Sequence, residues 1–122
     1  MSTRELTQET FVETVNANPI VLVDFWADWC GPCKRFAPVF EKLAESNPDI
    51  VFGKVDTEAE RELAGQADIR SIPTLMAFRD GVLLFNQAGA LPEQALTDLI
   101  GQVRGVDMDA VKAEMATHQH SH

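Results

Sequence analysis

Both cysteines of this 122-residue chain lie in one short segment, WCGPC at residues 29–33. Only Gly31 and Pro32 separate Cys30 from Cys33, so a disulfide between the two sulfurs would close a ring too small to tie distant segments together. Such a pair is therefore better suited to chemistry at sulfur than to reinforcing a fold. The spacing indicates reversible cycling between a dithiol and a disulfide.

The predicted elements on either side of the cysteines favour an ionised sulfur at Cys30. An apolar, β-branched run at 20–26 (IVLVDFW) predicts a buried strand, and Pro32 suits the first turn of a following helix. Cys30 would then meet the unpaired N–H groups and partial positive charge of a helix N-terminus, which favour a thiolate. Lys34 adds a cation, and Cys33 lies one turn along, within reach of the same sulfur.

Two roles without redox chemistry stay open for the cysteine pair. In the first, both cysteines are structural residues with free thiols. Alternatively they would belong to a zinc site, which usually needs four ligands, and His118, His120 and His122 would have to complete it from a distant tail.

The apolar pattern changes period several times, which is typical of alternating strands and helices. After at most a short strand at Thr3–Leu6, it predicts a helix capped by Thr7 and ending near Asn16, the 20–26 strand, a helix from Pro32 to about Asn47, a strand at 50–56, a short acidic helix at 58–65, hairpin strands at 74–79 and 82–87, and a helix at 92–104. The βαβ unit makes its two strands parallel, and the hairpin is antiparallel. We therefore expect an α/β fold with a mixed central sheet and helices on both faces.

Length and composition predict one domain, at residues 1–106, followed by an extension at 107–122. Met108, Val111 and Met115 would support a short helix there, before a polar, disordered tail that contains the histidines. The net charge of −9 disfavours both nucleic acid and anionic membranes as partners. No apolar run approaches the roughly 18 residues that span a bilayer, and the polar start lacks the apolar core of a secretory signal. A cytoplasmic location among reduced thiols is expected.

The segment DFWADWCGPCK at 24–34, followed by SIPT at 71–74 and GAL at 89–91, resembles the thioredoxin family in content and order. The resemblance extends from about Thr3 to Val106. It implies the thioredoxin fold and a protein-disulfide reductase that acts by dithiol–disulfide exchange, as a monomer without bound cofactor or metal. Its implied partners are disulfide-containing client proteins and an NADPH-dependent flavoprotein, thioredoxin reductase.

The resemblance also implies roles for single residues. Cys30 would attack the client disulfide, and Cys33 would release the client after Asp24 assists its deprotonation. A docking surface for the client would consist of Trp29, Gly31, Pro32, Ile72, Pro73 and Gly89, with the Ile72–Pro73 peptide bond cis. Trp26 would only support packing around the site.

Asp24 also attracts attention without the resemblance, because a carboxylate inside an apolar strand is costly unless it is paired or protonated. Either it is a buried acid with a raised pKa beneath the cysteines, or it leans toward a solvated edge. Lys54 would lie near this acid in the family, although an ordinary exposed lysine accounts for it as well.

Two functions from other classes compete with the reductase. One is a disulfide-forming oxidant of an export compartment, built on the same fold; the Gly31-Pro32 dipeptide and the polar N-terminus argue against it. The other is a redox-silent interaction module that uses the same apolar surface to bind a partner.

Overall fold

The computed structural model describes the backbone of residues 2–120 and the side chains of residues 2–117. The helices and strands follow in the order β1 (Thr3–Glu5), α1 (Phe11–Ala17), β2 (Ile20–Trp26), α2 (Gly31–Ser46), β3 (Val51–Asp56), α3 (Arg61–Gln66), β4 (Thr74–Arg79), β5 (Val82–Ala88), α4 (Glu93–Gly105) and α5 (Met108–His120).

The five strands of the described residues form one mixed sheet in the order β1-β3-β2-β4-β5. β3 is parallel to both β1 and β2, whereas β4 is antiparallel to β2 and to β5. The hairpin turns at Asp80 and Gly81, both of which have positive φ angles. This arrangement confirms the predicted parallel βαβ unit, the antiparallel hairpin and the mixed sheet.

Two apolar layers pack on opposite faces of the sheet, as predicted. Alternate residues of a strand point to opposite faces, so Leu22 and Asp24 of β2 share one face and Val23 lies on the other. Leu22 belongs to a core cluster with side chains of α2 and α4, among them Phe36 and Leu96. A second cluster, which includes Val23, packs against α1 and α3. Asp24 therefore lies on the sheet face that α2 covers.

The predicted start of the first helix is wrong. Thr10, not Thr7, is the N-cap of α1, and the carbonyl oxygen of Thr7 accepts hydrogen bonds from the N–H groups of Thr10 and Phe11. Thr10 Oγ1 also accepts from the Thr7 N–H at 2.9 Å. These bonds form a separate turn ahead of the helix. The predicted inner face is correct, because Val15 is buried and Phe11 packs against the same cluster.

The predicted start of the short acidic helix is also wrong: α3 begins at Arg61 rather than at residue 58. Asp56 Oδ1 accepts hydrogen bonds from the N–H groups of Glu58 and Ala59. A carboxylate that binds the backbone two and three residues ahead favours a turn over a helix.

The C-terminal extension forms a 13-residue helix, α5, which reaches His120 and is longer than the short helix expected. Its first residue, Met108, is only 7% exposed, and Lys112 forms an ion pair with Asp80 at 3.4 Å. Arg79 Nη1 donates to three backbone carbonyl oxygens where α4 meets α5, those of Val103, Arg104 and Val106. The extension is thus attached to the β4–β5 hairpin. The histidine side chains of the tail, including all of His122, lie outside the described residues.

Candidate active site

The two cysteines lie where β2 passes into α2, and their Sγ atoms are joined in a disulfide. Cys30 is the N-cap of α2, and the backbone N–H of Cys33 donates to Cys30 Sγ at 3.2 Å. Pro32 lies in the first turn of the helix, where a missing N–H costs no hydrogen bond. The predicted placement of Cys30 at a helix N-terminus is confirmed.

The two sulfurs differ in how they can be reached. Cys30 and Cys33 are 4% and 2% exposed, and they form a small apolar cluster with Ala27, against which Trp26 and Ile72 pack. Cys30 nevertheless lines an open groove of about 410 Å³, whereas Cys33 is not among the described residues that line it. A disulfide that approaches along the groove therefore meets Cys30. Trp26 packs beside the cysteines, as predicted.

The groove includes four of the six residues predicted for client docking: Trp29, Gly31, Pro32 and Ile72. Trp29 is 69% exposed, which is unusual for so large an apolar side chain and leaves its surface available for contact. The prediction missed five further residues of the groove, Thr57, Ala64, Ile69, Arg70 and Ser71. Residues 69–71 directly precede Ile72, so proximity in the chain was a usable signal for them. Thr57 and Ala64 carry no such signal.

Pro73 and Gly89, the other two predicted docking residues, are not among the described residues that line the groove. The Ile72–Pro73 peptide bond is cis, as the resemblance implied. Pro73 is buried, and its carbonyl oxygen accepts a hydrogen bond from the Gly89 N–H at 2.8 Å. Ile72 itself approaches the reactive pair, because its carbonyl oxygen lies 3.6 Å from Cys30 Sγ.

Asp24 is fully buried, so the solvated-edge interpretation is wrong. Burial raises the pKa of this carboxyl group to about 7, and the positive charge of Lys54 opposes the rise only in part. Neither carboxyl oxygen has a hydrogen-bond partner among the described residues. A carboxyl group with this pKa can take up and release a proton near neutral pH.

Comparison with known proteins identifies the family. A family model described as Thioredoxin matches residues 2–102. The chain belongs to the thioredoxin family. The protein named putative thioredoxin 2 of Streptomyces coelicolor is 63% identical over 118 residues, which cover 97% of this chain and 88% of that protein. Thioredoxin of Bacillus subtilis is 42% identical over 84 residues, covering 68% of this chain and 81% of its own.

Solved structures agree with this assignment. A mutant thioredoxin from Halobacterium salinarum superposes with a TM-score of 0.79 at 36% identity, over 86% of this chain and 94% of that one. The predicted thioredoxin fold is thereby confirmed. With the redox-active Cys30–Cys33 pair, this thioredoxin-family chain is a protein-disulfide oxidoreductase that works by dithiol–disulfide exchange.

Metal ions and membranes are two other classes of partner. Within the described part of the chain, no group of three or more histidine, cysteine, aspartate or glutamate residues is arranged to hold a metal ion. None of the described helices combines the length and apolar character that crossing a membrane requires.

Proposed function

We propose that this thioredoxin-family protein is a general reductase of protein disulfides in the cytoplasm. The Cys30 thiolate attacks one sulfur of a client disulfide, forms a mixed disulfide and expels the other client sulfur as a thiolate. The Cys33 thiolate then attacks Cys30 Sγ and releases the second client sulfur. Two electrons pass to the client, and the Cys30–Cys33 disulfide is left to be reduced by an NADPH-dependent flavoprotein thioredoxin reductase.

The hydrogen bond from the Cys33 N–H to Cys30 Sγ carries this proposal. A backbone N–H directed at sulfur, at the positive end of the 16-residue helix α2, stabilises negative charge on Cys30. When Cys33 later attacks Cys30 Sγ, the client sulfur is the leaving group, and Cys30 becomes part of the Cys30–Cys33 disulfide. Cys30 is also the cysteine that lines the groove.

Asp24 is the proposed proton acceptor for Cys33. Its pKa of about 7 matches the pH at which a thiol must be deprotonated in the cytoplasm. Asp24 lies on the sheet face under α2, the helix that contains Cys33, and a water molecule would relay the proton. Asp24→Asn should slow reduction near neutral pH more than it harms folding. If the substitution leaves the reduction rate unchanged from about pH 6 to 8, Asp24 does not have this role.

The groove is the proposed docking site for the client. Its walls are formed by Trp29, Gly31 and Pro32 on the cysteine side and by Ile72 opposite. The carbonyl oxygen of Ile72, close to Cys30 Sγ, would pair with the backbone of an extended client segment. Pro73 and Gly89 would contribute by holding this wall in place through their own hydrogen bond.

The test is reduction of a disulfide-bonded protein in the presence of a thioredoxin reductase. The consumption of NADPH measures the rate. We expect multiple turnovers that depend on the reductase and vanish in the Cys30→Ser, Cys33→Ser double variant. A cellular activity that survives this double substitution would favour the interaction module. A reduction potential far above that of the cytosolic glutathione pool would instead indicate the disulfide-forming oxidant.

A further inference from the structure

We infer that Arg70 makes the client groove selective for disulfides that are flanked by acidic residues. The inference rests on the proposed reductase function and adds a preference among its clients. The groove wall includes a cation, Arg70, that the known reaction does not use.

Arg70 is the charged residue among the described residues that line the groove. The other members are apolar side chains, glycine, or the hydroxyl residues Thr57 and Ser71. Because Cys30 also lines the groove, a client disulfide under attack brings its flanking residues into the groove that Arg70 lines. An acidic neighbour would meet a cation there, whereas a basic neighbour would meet a like charge.

The charge of the whole chain makes this local cation more informative. At −9, the protein repels acidic clients over long range. Long-range repulsion follows mainly the net charge and is screened by salt, while a guanidinium group within the groove acts at contact distance. The two effects can therefore be separated by moving the same charge change to another exposed position.

The guanidinium group of Arg70 is available for such a contact. Its side chain is 84% exposed, and it meets Asp68, itself 75% exposed, through a single Nε–Oδ1 contact of 3.3 Å. Exposed pairs of this kind contribute little to stability, so exchanging Asp68 for a client carboxylate costs little. No other hydrogen bond of Arg70 occurs among the described residues. Its remaining N–H groups can bind a carboxylate in the two-pronged geometry that arginine favours.

Arg61 provides a matched control. Its side chain is 78% exposed and pairs with Glu58 at 3.2 Å, so its exposure and pairing resemble those of Arg70. It does not line the groove. Arg61→Glu and Arg70→Glu each remove one positive charge and add one negative charge, which takes the net charge from −9 to −11 in both.

The experiment uses synthetic peptides that are cyclised by one internal disulfide, with aspartate, serine or lysine beside each cysteine. Pre-reduced protein is mixed with each peptide, the reaction is quenched with acid, and the reduced peptide is quantified. The protein dithiol supplies both electrons, so no reductase is needed. We expect the ratio of aspartate-peptide to lysine-peptide rate constants to be about fivefold lower in Arg70→Glu than in Arg61→Glu. Arg70→Gln should fall between wild type and Arg70→Glu, and Arg70→Lys should keep most of the preference.

Equal ratios in Arg70→Glu and Arg61→Glu would overturn the inference, since they would assign any preference to net charge. The serine peptide separates this failure from that of the proposed function. If the wild-type protein reduces the serine peptide but the two variants share one ratio, the selectivity alone is refuted. If the wild-type protein reduces none of the peptides, the proposed reductase function and the inference built on it both fail.

Discussion

Asp24 and Lys54 lie opposite each other in the register of β2 and β3, yet no ion pair between their side chains occurs among the described residues. Lys54 Nζ lies instead 4.8 Å from the ring centroid of Trp26, a cation–π arrangement. The lysine therefore acts on Asp24 only through its charge at a distance. Desolvation outweighs that charge, which is why the pKa of Asp24 is raised to about 7.

Asp24→Asn should stabilise the oxidised protein increasingly as the pH rises. The folded chain keeps Asp24 protonated up to about pH 7, whereas the unfolded chain ionises it near 3.8, so folding binds a proton between these values. The contribution of Asp24 to the free energy of unfolding is thus fully present below about pH 4 and is lost as pH rises to about 7. The stability advantage of asparagine should grow by about 2–3 kcal/mol between pH 5 and pH 8.

Urea unfolding at several pH values measures this advantage. The matched control is Asp28→Asn, the same substitution at an exposed position just after β2. Comparing the pH dependence removes any constant cost of a buried amide. An advantage of Asp24→Asn that stays flat from pH 5 to pH 8 would show that Asp24 is already ionised in the folded protein.

Cys33→Ser should trap clients as covalent adducts. Cys30 keeps its position at the N-cap and its backbone hydrogen bond, so it still attacks a client disulfide, but no thiolate remains to release the mixed disulfide. Non-reducing electrophoresis with mass spectrometry measures the adducts. Cys30→Ser is the control and should trap few, because Cys33 does not line the groove. Equal trapping by both variants would mean that the assigned roles are wrong.

Met108→Ala should destabilise the protein because the start of α5 is part of the folded core. Met108 is 7% exposed, and removing a buried methionine side chain typically costs about 2 kcal/mol or more. Met115, on the same helix, is 43% exposed, and Met115→Ala should cost less than about 0.5 kcal/mol. Denaturant unfolding of the two variants makes the comparison. Similar small losses would mean that α5 is detached from the domain in solution.

Gly53→Ala should be destabilising because β3 passes close beneath Leu6. A methyl group at Gly53 would come within 2.8 Å of Leu6 Cγ, and overpacking of this kind costs about 1–3 kcal/mol. Gly101→Ala is the reverse case: it lies in α4 with nothing within 4 Å of the added methyl, and alanine should raise stability there by about 0.5–1 kcal/mol. The midpoint temperatures of thermal unfolding check both predictions. Equal shifts of the midpoint in the two variants would contradict the close approach of Leu6 to Gly53.

The fold class and the position of the reactive pair could be predicted from sequence because their signals are local. The apolar run at 20–26 predicts a buried strand, and Asp80-Gly81 predicts a hairpin turn, from their own residues alone. Pro32 favours a helix start two residues after Cys30. Element starts that depend on one side chain binding nearby backbone, at Thr10 and Asp56, were missed, because several threonines and aspartates can compete for such a role.

By itself, the sequence determined that Cys30 and Cys33 lie in the first turn of a helix after a central strand, and that the sheet is mixed. Tertiary structure alone decided that Thr57 and Ala64 line the groove beside Cys30, because the end of β3 and helix α3 bring them there from distant parts of the chain. It also decided the pKa of Asp24, since desolvation depends on the neighbouring strands and α2 that cover the carboxyl group. Periodicity shows which side of an element turns inward; what it meets there is set by segments far away in the chain.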